Sequence, residues 1–162
     1  MILRSRLALT AGAGVLVAGA GLAAHLLTGD DADAGIRAAK GAGAPYCKRI
    51  ADGAPASLGG HSRRDSSLAG VAVWGDQAIV LRCGVTPPGP TGDPCFAVDG
   101  VDWVYDEAQS TDGRKVVVTY GRTPATQVVF DGSTGTDAAL VDLSRLVSPV
   151  RQTSRCLGKA SG

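Results

Sequence analysis

The stretch Val71-Ala72-Val73-Trp74-Gly75-Asp76-Gln77-Ala78-Ile79-Val80-Leu81-Arg82-Cys83-Gly84-Val85 constrains this chain most. Side chains alternate along a strand, so Ala72, Trp74, Ile79, Leu81 and Cys83 share one face. Val71, Val73, Ala78 and Val80 share the other, followed by Arg82. A strand that is apolar on both faces is covered on both sides. Gly75-Asp76 places Gly where a type II′ turn needs positive φ. A two-residue hairpin is therefore predicted, with Trp74 opposite Gln77, Ala72 opposite Ile79 and Val71 opposite Val80. Arg82 breaks the apolar pattern; it reaches the rim or pairs with an acid.

A domain with only two Trp and two Phe cannot build a large aromatic core, so cross-links matter. Cys47, Cys83, Cys95 and Cys156 are an even set without a C-x-x-C pair. In an exported chain they read as two disulfides. The close ligand pairs of a zinc site are absent, and neither metal nor cofactor is expected. A Cys stands at each end of Thr86-Pro87-Pro88-Gly89-Pro90-Thr91-Gly92-Asp93-Pro94, and closing that loop favours Cys83–Cys95. Cys47–Cys156 then follows, although four cysteines allow three connectivities.

Export is read from the N-terminus. Arg4 and Arg6 precede an apolar run over residues 7–27, and Asp30, Asp31 and Asp33 follow it. Positive charge before the run orients the chain with its N-terminus inside. The run is close to the ~20 residues that span a bilayer, which favours a single-pass anchor over residues 1–28 in the cell membrane. The alternative is a cleaved signal, cut after Ala34 in Ala32-Asp33-Ala34, and a secreted product. Residues 29–45 lack apolar periodicity and read as a flexible linker. The extracytoplasmic domain is expected over residues 46–157, with a disordered tail at 158–162. A net charge of +1 gives no pull toward nucleic acid; the expected partners are the cytoplasmic membrane and a cell-wall component or envelope protein.

Within the domain, Cys47 and Ile50 predict the inner face of a short helix after Pro45. Residues 56–67 read as a polar loop containing His61, Arg63 and Arg64. Strands are predicted over 101–105, 115–120 and 126–130 by alternation. A second helix has the apolar stripe Ala139, Leu140, Leu143, Leu146 and Val147. The sum is an α+β fold: an antiparallel sheet of about five strands with N- and C-terminal helices packed on it.

Several of these residues resemble a known family. They are Tyr46-Cys47, Arg63-Arg64, Trp74-Gly75-Asp76, Ala78-Ile79-Val80-Leu81-Arg82-Cys83-Gly84, Cys95 with Val98-Asp99-Gly100-Val101-Asp102-Trp103, Thr119-Tyr120-Gly121-Arg122-x-Pro124, and Cys156. The chain resembles the actinobacterial family called domain of unknown function 3515. That resemblance implies a secreted or membrane-anchored envelope protein and brings no assigned activity, so no catalytic residue is carried over. It also implies a bulky aliphatic residue where Ala54 precedes Pro55.

The residues themselves offer three candidate chemistries. A serine nucleophile needs a histidine base, and outside the apolar run there is only His61, in Gly59-Gly60-His61-Ser62 with no G-x-S-x-G elbow. Asp99 and Asp102 are candidate paired carboxylates, but acids three apart around Gly100 more readily form a turn and an Arg partner. Arg63, Arg64, Arg82 and Arg122 can read carboxylate or phosphate, with Trp74 and Trp103 as stacking surfaces. The blander reading places those arginines in internal pairs and the tryptophans in the core. The expectation is a non-enzymatic envelope domain binding through an Arg/Trp face; the alternative is a hydrolase or transferase using His61 or the Asp99/Asp102 pair.

Overall fold

The computed structural model describes residues 32–157. The expected anchor or signal, and the tail from residue 158, lie outside these residues. The elements are α1 (Pro45–Asp52), β1 (Ser57–Leu58), β2 (His61–Arg64), β3 (Val71–Trp74), β4 (Ile79–Val85), β5 (Cys95–Val98), β6 (Val101–Tyr105), β7 (Arg114–Thr119), β8 (Ala125–Asp131) and α2 (Asp137–Val147). All strands join one eight-stranded sheet in the order β1-β2-β3-β4-β8-β7-β6-β5, with every neighbour antiparallel. Among the described residues no helix is long and apolar enough to cross a membrane.

This corrects the α+β expectation of about five strands: the domain is mainly an eight-stranded sheet with two short helices. The unforeseen strands are β1, β2 and β5. In β1 and β2 only Leu58 is fully buried, so apolar alternation is missing. Their turn is Gly59-Gly60, with φ of 55° and 84°. Asp99-Gly100, at 48° and 77°, joins β5 to β6 in the same way. Positive φ at both central residues is the requirement of a type I′ hairpin loop.

The central hairpin has a different register from the one predicted. Trp74 pairs with Ile79, Val73 with Val80, Ala72 with Leu81 and Val71 with Arg82. The loop is therefore four residues, Gly75 to Ala78, and Gln77 takes positive φ in it. Gly75 sends its N–H to Ser62 on β2, so it serves the neighbouring strand instead of closing a two-residue turn. The shift is two residues, and an even shift leaves each side chain on its face.

Both faces are covered, as the double apolar pattern requires. On the first, Trp74, Ile79, Leu81, Trp103, Val128 and Phe130 pack with Cys47 and Ile50 of α1 and with Ala139, Leu140, Leu143 and Val147 of α2. On the second, Val71, Val73, Val80, Val116 and Val129 pack with Ala32, Ile36 and Leu68.

Residues 32–44, expected as part of a flexible linker, form a strap along that second face. The Asp33 carboxylate accepts hydrogen bonds from Ser66 Oγ at 2.6 Å, Ser67 N at 2.8 Å and Ser67 Oγ at 2.9 Å. Gln77 Nε2 donates to the Ala34 carbonyl, and the Gly41 N–H donates to the Gly84 carbonyl. Sequence periodicity missed the strap because its contacts, from the Asp33 carboxylate, the Ile36 side chain and the backbone of Ala34 and Gly41, follow neither helical nor strand spacing.

The cysteines pair Cys47–Cys83 and Cys95–Cys156, with Cα separations of 5.2 Å and 5.7 Å. The expected Cys83–Cys95 and Cys47–Cys156 pairs are therefore wrong. Cys83 is on β4 and Cys95 on β5, with β8, β7 and β6 between them. Four inter-strand steps of ~4.8 Å separate them by roughly 19 Å, well beyond the ~7 Å at which a disulfide can form. The proline-rich segment spans the sheet instead of closing a loop.

Candidate functional site

The expected Arg/Trp face does not exist as one surface. Trp74 and Trp103 are fully buried under the helices. Their indole N–H groups donate to the Pro55 carbonyl at 2.9 Å and to Ser144 Oγ at 3.0 Å. Arg63 donates to the Ala54 and Ala51 carbonyls at 2.8 Å and 2.6 Å, where a cation suits the C-terminal end of α1. Arg64 lies half-buried on β2, opposite Val73. Arg122 is buried and donates to the carbonyls of Ser148 and Val150 and to Gln152 Oε1. Burial pulls its pKa down, Asp102 opposes that, and Arg155 adds to it.

The groups of the hydrolytic alternative do not converge either. His61 pairs with Leu58 at the β1–β2 end of the sheet. Asp99 forms an exposed ion pair with Arg145 at 3.1 Å. Asp102 is buried and accepts from Gln152 Nε2 at 2.7 Å and from Cys156 N at 2.8 Å. The two acids thus fix separate C-terminal elements, α2 and the segment after it. Among the described residues no group of three or more His, Cys, Asp or Glu is placed to hold a metal ion.

Of the expected cations, Arg82 reaches an open cleft. It projects from β4 onto the second face, where its Nε donates to the Arg37 carbonyl at 2.9 Å and its Nη1 to Gln127 Oε1 at 3.1 Å. Between the strap and the sheet is a cleft of about 470 Å³, lined by Arg37, Arg82, Arg114, Gln77 and Asp131 over Ile36, Val80 and Val129. Among the described residues, none of the three arginines has a carboxylate within ion-pair distance. Asp131 is the carboxylate of this cleft, and its Oδ1 accepts from Ser133 and Thr134. Hydrogen bonds from Thr134 and then Ser133 hold its carboxyl below the usual carboxylate range.

A second cleft, of about 500 Å³, also includes Arg82, with Lys40, Pro87, Pro88, Asp106, Gln109 and Gln127. Its polar groups answer one another. Gln127 Nε2 donates to Gln109 Oε1 at 3.3 Å, and Gln109 Nε2 donates to Asp106 Oδ2. The first cleft sets three arginines against one carboxylate and the second sets Lys40 and Arg82 against Asp106, so the larger excess of positive charge is in the first.

Sequence reasoning missed Arg37 and Arg114 in this cleft. Arg114 was accessible: it alternates with Val116 and Val118 along β7, so it shares their face. Arg37 had no signal, because nothing periodic marks the strap as part of the domain. A family model described as "Protein of unknown function (DUF3515)" matches residues 6–155, most of the chain. No curated protein matches the chain, and no solved structure does.

Proposed function

The chain belongs to the DUF3515 family of proteins of unknown function, and from that premise we propose that it is a non-enzymatic extracytoplasmic domain that binds a cell-wall component or envelope protein. The observation carrying this reading is the contrast between two sets of groups. His61, Asp99 and Asp102 are dispersed, each in its own setting. Three arginines with no ion-pair partner among the described residues line one cleft, which holds a single carboxylate, Asp131. A site with concentrated charge and no nucleophile–base pair suits recognition better than turnover.

Two features support the extracytoplasmic placement. All four cysteines are in disulfides, which persist in oxidising compartments. The apolar run over residues 7–27 follows Arg4 and Arg6, the charge order of a segment with its N-terminus inside. Retention of that run as an anchor is favoured over cleavage after Ala34. Such a cut would discard Asp33, whose carboxylate organises Ser66 and Ser67.

The test is co-sedimentation of the purified full-length chain, in mild detergent, with purified cell wall and with solubilised envelope membranes. Retention by either fraction is expected. Release of the chain from both at moderate salt and low detergent would contradict the reading. N-terminal sequencing of the native protein should find residues before Asp33 present.

A further inference from the structure

We infer that the cleft between the strap and the second sheet face binds an organic phosphate, whose dianionic group is held by Arg37, Arg82 and Arg114. This deepens the binding role proposed above and rests on it. Three positive charges meet a single carboxylate, Asp131, which is already engaged by Ser133 and Thr134. A phosphomonoester carries about −1.5 to −2 at neutral pH, which balances the remainder; a lone carboxylate would leave one cation uncompensated.

The geometry of Arg82 supports a built site. A half-buried guanidinium at the centre of a sheet face costs desolvation unless it is paired. Its two hydrogen bonds go to neutral acceptors, the Arg37 carbonyl and Gln127 Oε1. They fix the orientation of the planar fork and leave further N–H groups to donate. Arginine forks match phosphate oxygens bidentately. The same bond draws the Arg37 backbone onto the floor, so one contact both orients Arg82 and positions the strap that carries the second cation. Ile36, Val80 and Val129 supply an apolar wall beside the charges, suited to the carbon skeleton of an ester and of no use to a bare inorganic ion.

The phosphate can come from a sugar or from a lipid headgroup, and the probes separate these sources. Isothermal titration calorimetry of the full-length chain in neutral detergent would use glucose 1-phosphate, water-soluble dihexanoyl phosphatidic acid, inorganic phosphate and acetate. At least one ester should bind more tightly than inorganic phosphate, with acetate weakest. Arg37→Gln and Arg114→Gln, both at exposed positions, should each weaken the ester about tenfold, as expected for loss of one charged hydrogen-bonding partner. The tighter of the two esters identifies the source. No binding of either ester, equal binding of acetate, or affinities unchanged in both variants would overturn the inference. A chain retained by wall or membrane fractions that ignores both esters would overturn this inference alone. A chain that binds an ester through these arginines yet is retained by neither fraction would contradict only the broader role.

Discussion

Arg82 on β4 donates its Nε hydrogen to the backbone carbonyl of Arg37, 2.9 Å away, and so ties a central strand to a segment 45 residues earlier. A charged donor strengthens a hydrogen bond, though less so at an exposed position such as this one. The Arg82–Arg37 bond acts with the Gly41–Gly84 backbone bond and the packing of Ile36 on the valines of the second face. Together they turn residues without helical or strand periodicity into one wall of a cleft. The arginine that breaks the apolar pattern of its strand thereby seats the strap, and it meets no acid among the described residues.

Gly84 should be intolerant of any side chain. Its φ is +91°, and a Cβ there would run into the backbone of Gly41 and Ala42. Gly84→Ala is expected to cost about 2–4 kcal/mol through backbone strain and displacement of the strap. Gly43→Ala is the control: its Cβ would meet nothing within 4 Å, and its effect should stay within about 0.5 kcal/mol. Urea unfolding of both variants measures the difference.

The two disulfides should open in order. Cys47–Cys83 is fully buried between α1 and β4, whereas Cys95 and Cys156 are half-buried at the β5 edge. Limited reduction followed by alkylation should label Cys95 and Cys156 first. Each bridge closes a loop, of 36 and 61 residues, worth about 4 kcal/mol by chain entropy. Full reduction should therefore lower the melting temperature sharply. A non-reduced peptide linking Cys83 to Cys95 would contradict the sheet order itself.

Acid should weaken the domain at two carboxylates. The Asp131 carboxyl is held low by hydrogen bonds from Thr134 and Ser133. At Asp33 burial pulls upward, but hydrogen bonds from Ser66 and Ser67 outweigh it and hold the carboxyl low as well. A depressed folded-state pKa stabilises fully above the unfolded value and loses that contribution as pH falls through the lowered one. Melting temperature should accordingly fall as pH drops below the ordinary carboxylate value of 3.8. Asp131→Asn should be less stable than the parent at neutral pH and show a shallower acid dependence.

Arg122 should behave as a structural cation. It satisfies the carbonyls of Ser148 and Val150 just beyond α2, and Gln152 passes the contact on to Asp102. Arg122→Met keeps the bulk of the side chain and strands those carbonyls, at a cost of about 3 kcal/mol in chemical denaturation. Arg122→Lys should recover little, because an ammonium on a flexible stem cannot reproduce the planar fork.

Much of this fold was legible where side-chain periodicity and burial coincide. Cys47 and Ile50, the faces of β3 and β4, and the Leu140–Leu143–Val147 stripe all follow from alternation or helical spacing. The shorter strands carry little apolar signal, yet their turns announce them: Gly59-Gly60 and Asp99-Gly100 are both two-residue loops of the kind that closes tight hairpins. The disulfide pairing was unreadable because it depends on strand order, which places β5 at the far edge from β4. Candidate ligand residues divided along the same line. Trp74 and Trp103 are core residues, as their positions on apolar strands imply. Arg82 needed the strap before its role could be seen, and the strap left no mark in the sequence.

Amide hydrogen exchange across the strap tests the account most directly, since the arginine cleft exists only if residues 32–44 lie on the sheet. The N–H groups of Gly41 and Ala42, bonded to the Gly84 and Ala39 carbonyls, should exchange slowly in the full-length chain and become faster in Gly84→Ala. Exchange at the free-chain rate in the unmodified protein would contradict a seated strap, and with it the site built on Arg37, Arg82 and Arg114.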